Sequence, residues 1–284
     1  MEILHTVTEL RHWSRKHRHD SGPVADRIAL VPTMGALHVG HASLIRAAAD
    51  ACPHVAVSIF VNPAQFGPNE DYARYPRTFE ADCKLAEAEG ATAIFAPSVE
   101  ELYPSGAATF VEVEGLSGRL DGKSRPGHFR GVSTVVTKLL IATEPDLVFF
   151  GQKDAAQVAV IRRMVTDLRI GTKVMVCPIV REPDGLALSS RNIYLSSRER
   201  TQALTLSRAV RRGQELVAKG ERRVDILLAA VREIFAAEPD IRVDYIEFVD
   251  WNTLQPVQTA SPSTLFAVAA WVGSTRLIDN AIIA

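Results

Sequence analysis

An apolar run, Ile28-Ala29-Leu30-Val31, ends in a glycine-bearing turn, Pro32-Thr33-Met34-Gly35-Ala36-Leu37-His38-Val39-Gly40-His41, and the turn leads into residues 42–51, which read as a helix. A buried strand that feeds a helix in this way commits the chain to a parallel α/β unit. Such a turn is also where α/β proteins hold phosphates, because backbone N–H groups and the helix dipole both point at the anion. His38 and His41 are three apart, so on a first helical turn both imidazoles share one face. Two donor or cationic groups beside a phosphate site point to nucleotide chemistry. The turn lacks the Gly-x-Gly-x-x-Gly of a dinucleotide fingerprint and the Gly-Lys-Ser/Thr of a P-loop. Metal ligation is the weaker reading of the histidines, since no His-Glu-x-x-His is present and no Cys or His cluster completes a ligand set.

Strand and helix patterns then alternate. Strands are expected at 28–31, 54–60, 93–96, 109–113, 147–150 and 173–177. Helices are expected at 79–89 with Thr78 as cap, at 131–142, and at 154–168, where Val158, Ile161, Val165 and Leu168 recur at helical spacing. After Pro178 the style changes. Ser196-Ser197-Arg198-Glu199 is a capping box that opens a helix to about Lys219, and Val224, Leu227, Leu228, Val231, Ile234 and Phe235 line one face of the next. Residues 242–249 and 265–272 read as strands. The expected fold class is α/β: a Rossmann-like parallel sheet flanked by helices, with a smaller C-terminal α+β domain. The boundary is placed at Arg181-Glu182-Pro183, giving domains 1–182 and 183–284, the second closing over the site.

Composition narrows the function classes. The 284 residues are 47% hydrophobic, enough for a large core, and the formal net charge is -1, which gives no support for a nucleic-acid-binding surface. The one basic stretch, residues 11–19, reads as a solvated helix face and loop. Cys52, Cys83 and Cys177 are far apart and form no Cys-x-x-Cys pair, so reduced thiols are expected rather than disulfides or zinc. No signal peptide is evident at the N-terminus, and no apolar run approaches the ~20 residues of a membrane span. A cytoplasmic protein with neither nucleic acid nor membrane as partner is expected.

In open parallel sheets ligands bind beyond the carboxyl ends of the strands, so the loops after the strands form one set. They carry His38 and His41, then Gln65, then Gly151-Gln152-Lys153-Asp154 with Gln157, then Arg181 and Leu188-Ser189-Ser190-Arg191-Asn192. A lysine just before a helix N-terminus is misplaced for the dipole, so Lys153 suggests an anionic ligand; its bland alternative is an exposed partner of Asp154. Asp154 itself suits an N-cap. Ser189-Ser190-Arg191 offers two hydroxyls and a guanidinium fork, a good polyphosphate grip although common in loops. Gln65 and Gln157 are neutral bidentate groups suited to hydroxyls and a carboxylate. Arg125-Pro126-Gly127-His128-Phe129-Arg130-Gly131 precedes a helix and reads as a mobile loop or a plain Pro/Gly turn.

Taken together these segments resemble the pantoate–β-alanine ligase family, within the nucleotidyltransferase superfamily shared with class I aminoacyl-tRNA synthetases. His38-Val39-Gly40-His41 is similar to its His-x-Gly-His signature, and Leu188-Ser189-Ser190-Arg191 to the counterpart of the Lys-Met-Ser-Lys-Ser loop. Phe60-Val61-Asn62-Pro63-Ala64-Gln65-Phe66, Tyr75-Pro76-Arg77-Thr78, Arg125-Pro126-Gly127-His128-Phe129, the stretch from Lys153 to Gln157, and Arg181-Glu182-x-Asp184-Gly185-Leu186-Ala187 match in order. Leu188 departs from the family's usual Met, a change in packing near adenine. The resemblance implies condensation of pantoate with β-alanine through a pantoyl adenylate, with release of AMP and pyrophosphate. It implies ATP contacts from Met34, His38, His41, Gly151, Lys153, Asp154 (ribose), Val180, Leu188, Ser189, Ser190 and Arg191. Pantoate would meet Gln65 and Gln157, with Pro32, Met34 and Val132 as the apolar wall around its methyl groups. Catalysis is carried over to His38, His41, Lys153, Ser189, Ser190 and Arg191, and Asn62, Tyr75, Arg125 and His128 are further candidates, the last two as lid or β-alanine-side residues. Mg²⁺ is implied with ATP, held mainly by phosphates and with no protein ligand named, as is a homodimer. The competing readings are a nucleotidyltransferase of the same superfamily acting on a phosphorylated acceptor, and a non-catalytic nucleotide sensor.

Overall fold

The structure is a computed structural model and describes residues 1–18, 27–68 and 70–283. The end of the basic stretch, His19, lies outside them. The chain forms two compact units: Met1–Gly151 with Val160–Cys177, and Gln152–Ala159 with Pro178–Ala284.

The first unit runs β1 (Glu2–Leu4), α1 (Val7–Lys16), β2 (Ile28–Thr33), α2 (Val39–Ala51), β3 (His54–Ile59), α3 (Phe79–Ala88), β4 (Ala93–Phe95), two short helices α4 (Val99–Leu102) and α5 (Asp121–Ser124), then α6 (His128–Thr143), β5 (Leu147–Gly151), the part of α7 (Ala155–Asp167) from Val160 on, and β6 (Lys173–Cys177). Its strands make one parallel sheet in the order β1-β4-β3-β2-β5-β6. Ile45, Ala48, Val55, Val57, Ile94 and Phe149 are the centre of a core between the sheet and α2. Chain order reverses between β2 and β5, the topological switch point where open α/β sheets leave a crevice. There β2 pairs with β3 along its whole length, Ile28↔His54 to Thr33↔Ile59, but with β5 only at Ala29↔Leu147 and Leu30↔Val148. Pro32, which has no N–H to give a ladder, lies beyond the last β5 pair, so a proline fits a central strand here.

The second unit packs α8 (Ser197–Ala218) and α9 (Val224–Ala236) on an antiparallel sheet, β7 (Ile241–Asp250), β8 (Thr264–Val272) and β9 (Thr275–Ile282), in the order β7-β8-β9. The capping box is present: Ser196 Oγ accepts the Glu199 N–H and Glu199 Oε2 accepts the Ser196 N–H. Leu206, Val210, Leu227, Val231, Phe248 and Phe266 fill the core.

Four features differ from the sequence expectations. Residues 109–113 are not a strand: the Val111 and Val113 amides donate to the Thr134 and Ser117 hydroxyls instead of to a neighbouring strand. β1 and β9 are additional strands, the first only three residues long. α2 begins at Val39 and α6 at His128, each three residues earlier than expected. Finally, the division between units falls after Cys177, and 152–159 go with the second unit, where Trp251 Nε1 donates to the Ala155 carbonyl and Asn280 holds the preceding turn.

Candidate active site

The turn between β2 and α2 is fastened from within. Thr33 Oγ1 donates to the Ser58 carbonyl (2.6 Å) and accepts the Gly35 N–H (3.2 Å). Gly35 (φ +80°) and Ala36 (φ +49°) are both left-handed, a conformation glycine takes freely and alanine does not. Ala36 is held there by Asp82 of α3. This carboxylate is 2% exposed and accepts the Ala36 N–H (2.9 Å), the Leu37 N–H (2.8 Å) and the Thr78 hydroxyl (3.0 Å). Thr78, expected to cap α3, makes no capping bond, because its hydroxyl serves Asp82.

His38 is the N-cap of α2. Its Nδ1 accepts the Gly40 N–H (3.1 Å), and His41 Nδ1 accepts the His38 N–H (3.3 Å), so two imidazoles form the capping box. Their ring centroids are 4.2 Å apart. An Nδ1 that accepts a backbone N–H carries no proton, so each neutral ring bears its proton on Nε2. This corrects one expectation. The amides of Gly35, Ala36, Leu37, His38 and Gly40 all have acceptors within the protein, so they do not form an open anion cradle.

The loop after β3 supplies Gln65. Asn62 is buried and organises it: Oδ1 accepts the Ala64 N–H (3.3 Å) and the Tyr103 hydroxyl (2.8 Å), while Nδ2 donates to Gln65 Oε1 (3.0 Å) and to the Gly131 carbonyl (3.1 Å). Gln65 Nε2 donates to Met34 Sδ at 2.9 Å, a weak acceptor that a substrate oxygen would improve on. The Gln65 carbonyl accepts from His128 Nδ1 (2.9 Å), and His128 Nε2 meets Arg125 Nη1 (3.1 Å). A carbonyl only accepts and a guanidinium only donates, so His128 is the neutral Nδ1–H tautomer. Burial, reinforced by the Arg125 charge, pushes its pKa down to about 4. Arg125 also grips Glu70 with a fork at 2.7 and 2.5 Å; burial alone would raise the Glu70 carboxyl, but the hydrogen bond and charge of Arg125 outweigh it and hold it below its ordinary range. Burial pushes the Tyr103 hydroxyl up to about 12. Residues 125–127, read as a mobile loop or a plain Pro/Gly turn, are a turn anchored by the Arg125–Glu70 ion pair, and 128–131 are the first turn of α6. Val132 is buried on that helix, Pro32 is half-buried on β2, and Tyr75 is buried with its ring edge-on to Phe66.

In the second unit, Gln152–Asp154 form a 3-10 turn that opens into α7, which carries Gln157. Lys153 Nζ lies 3.4 Å from Asp154 Oδ1. Val180 and Leu188 close a small hairpin, with the Leu188 N–H on the Val180 carbonyl (3.0 Å) and Arg181 bridged to Ala187. Ser189 Oγ accepts the Arg191 N–H (3.3 Å), so Ser189 caps the 3-10 turn Ser190–Tyr194 that carries Ser190 and Arg191. Asn192 Nδ2 ties this turn to Glu182 (2.9 Å) and to the Ala187 carbonyl (3.1 Å), and Arg200 bridges Glu182 and Asp184 at 2.6 Å each. Gly151 ends β5 in the first unit.

Sequence reasoning missed the residues that hold these groups: Asp82, Glu70 and Tyr103 in the first unit, Asp279, Asn280 and Arg200 in the second. Buried carboxylates and amides inside regular elements leave no local pattern; the spacing of Thr78 and Asp82 within one helical turn was the only signal for the first.

Residues 2–282 match the family model described as pantoate-beta-alanine ligase. The pantothenate synthetase of Acidobacterium capsulatum is 57% identical, over 100% of this chain and 97% of that protein. The crystal structure of pantothenate synthetase from Thermus thermophilus superposes with a TM-score of 0.92 at 44% identity, covering 99% of each chain. The pantoate-beta-alanine ligase of Francisella tularensis, solved in complex with beta-gamma ATP and beta-alanine, gives a TM-score of 0.74 at 34% identity over 99% of this chain and 97% of that one.

Proposed function

This chain belongs to the pantoate–β-alanine ligase family, and we propose that it works through an acyl adenylate. It is a ligase that binds ATP and joins pantoate to β-alanine by an amide bond. A carboxylate does not react usefully with an amine at neutral pH, so the acid must first be given a leaving group. A pantoate carboxylate oxygen attacks the α-phosphorus, and the bond to the β-phosphate bridge breaks with its electron pair on pyrophosphate. The β-alanine amine then attacks the acyl carbon; the bond to AMP breaks and the amine loses a proton. No covalent bond to the protein forms, so catalysis is positioning and charge stabilisation.

The observation that carries this reading is the imidazole capping box. Both rings are committed through Nδ1, which presents Nε2–H as a preorganised donor to charge developing on phosphate oxygens. Lys153, Ser189, Ser190 and Arg191 are assigned to the triphosphate, Asp154 to the ribose, and Met34, Gly151, Val180 and Leu188 to the rest of the nucleotide. Gln65 and Gln157 are assigned to the pantoate hydroxyls and carboxylate, against an apolar wall of Pro32, Met34 and Val132. Asn62 supports Gln65 directly; Tyr75, Arg125 and His128 support the same loop, which makes them positioning residues in this reading.

Mg²⁺ would arrive on the triphosphate. Among the described residues no group of three or more His, Cys, Asp or Glu side chains is placed to hold a metal ion, so no step is assigned to a protein-borne one. A homodimer in the cytoplasm completes the proposal; among the described residues no helix is long and apolar enough to cross a membrane. Pantoate labelled with ¹⁸O in its carboxylate tests the route. The adenylate path transfers one labelled oxygen to the AMP phosphate, and AMP without label contradicts it.

A further inference from the structure

Lys153 is the charge this reading places on the triphosphate, yet its own ion pair with Asp154 is long and half-exposed and does not fix it. The turn that carries it is fixed from the far end of the chain. Asn280, on β9, is 4% exposed, and its Nδ2 donates to two consecutive carbonyls, Gln152 (3.0 Å) and Lys153 (2.8 Å). Its Oδ1 accepts from Gln152 Nε2 (3.2 Å). Every polar atom of a buried side chain is thereby committed to one three-residue turn. A buried amide inside a strand is poor β chemistry, and a strand that needed only packing would use an apolar residue there.

Asn280 is itself held. Its N–H donates to Asp279 Oδ1 (2.8 Å), and Asp279, 2% exposed, is gripped by both Nη atoms of Arg181 at 2.7 and 2.8 Å. Arg181 belongs to the hairpin closed by Val180 and Leu188, next to Ser189, and Arg181 Nη1 also donates to the Gly185 carbonyl (3.1 Å). A continuous chain of hydrogen bonds thus runs from the hairpin through Arg181, Asp279 and Asn280 to the Lys153 backbone. Consecutive strand residues point to opposite faces, so one stretch of β9 has the hairpin on one side and the lysine turn on the other.

We propose that Asn280 is a positioning residue for Lys153, clamping the lysine's turn to β9 and, through Asp279 and Arg181, registering it against the hairpin that precedes Ser189. This rests on the phosphate role of Lys153 given above. Adenylation is read as pantoate-dependent exchange of labelled pyrophosphate into ATP, with thermal unfolding to confirm the folded state. N280A is expected to lower the maximal exchange rate about 10²-fold, the effect of misplacing a catalytic group by about 1 Å, with the KM for pantoate unchanged. Because Asn280 acts through Lys153, K153A and K153A/N280A are expected to exchange equally slowly, a coupling that a merely structural role would not produce. Should N280A not fold, N280L takes its place: it keeps the volume without a buried charge and removes the donors to the two carbonyls together with the acceptor for Gln152. A folded variant that exchanges at the wild-type rate overturns the proposal, as does a double variant slower than K153A by the full factor lost in N280A. K153A at the wild-type rate overturns the role of Lys153 and this proposal with it, and is told apart from failure of Asn280 alone, where K153A is slow and N280A is not.

Discussion

Two roles are assigned to His41, the α2 cap through Nδ1 and, in the proposed function, a phosphate donor through Nε2–H, and single substitutions separate them. Asparagine places an acceptor near Nδ1 and nothing at Nε2; glutamine does the reverse. H41N is expected to unfold at close to the wild-type temperature while adenylation falls about 10²–10³-fold, the loss expected when one oxyanion donor is removed. H41Q is expected to keep more of the rate and to lose about 1 kcal/mol of stability with the cap. Pyrophosphate exchange and thermal unfolding of the two variants check both; an active H41N would leave His41 a cap only. His128 makes a second residue-scale prediction. Its folded pKa is about 4 against an ordinary 6.5, so between those values the unfolded chain binds the proton and the folded one does not. Stability therefore falls as pH drops from 6.5 to about 4, by as much as about 3 kcal/mol. Of the charged groups facing it, Arg125, Asp121 and Glu70, the Glu70 carboxyl lies below its ordinary range and so stays ionised over most of that window. Urea unfolding of wild type against H128Q across this range isolates the contribution, which is absent if the two curves run parallel.

At the scale of elements, α6 and the loop after β3 meet at Gly131. Glycine in a helix interior normally costs about 1 kcal/mol relative to alanine. Here a Cβ would stand 2.2 Å from the Ala64 carbonyl oxygen and 2.6 Å from the Gln65 Cα, both backbone atoms. G131A is therefore expected to lower stability by about 1–3 kcal/mol and to raise the KM for pantoate by displacing Gln65, which thermal unfolding and steady-state kinetics check. A variant that melts higher with KM unchanged would show that the contact can give. The same scale separates what was legible in the chain from what was not. β2, β3 and β5 are readable because buried parallel strands are nearly unbroken apolar runs, and the half-buried edge strand β6 carries a similar run at Val174-Met175-Val176. β9 is not, because Arg276, Asp279 and Asn280 interrupt its alternation, and these polar residues turn out to be buried or partnered. Residues 109–113 alternate like a strand but find side-chain acceptors instead of a ladder. The histidines, Gln65, Lys153 and the serines stand out in the chain because they lie in or beside the segments that follow the parallel strands, where open sheets bind ligands. Asp82 and Asn280 do not, since their partners are backbone groups more than forty residues away.

For the whole molecule, a parallel sheet with its switch point at the histidine turn, near-neutral charge and an end-to-end match to one ligase family belong to a single account: an enzyme that activates a hydroxy acid with ATP before an amine arrives. The competing transfer of a nucleotidyl group to a phosphorylated acceptor needs no pantoate. The direct test is exchange of labelled pyrophosphate into ATP by the purified protein with β-alanine left out. The account predicts exchange that requires pantoate and is abolished by its omission. Exchange independent of pantoate, or exchange that begins only when β-alanine is added, would contradict it.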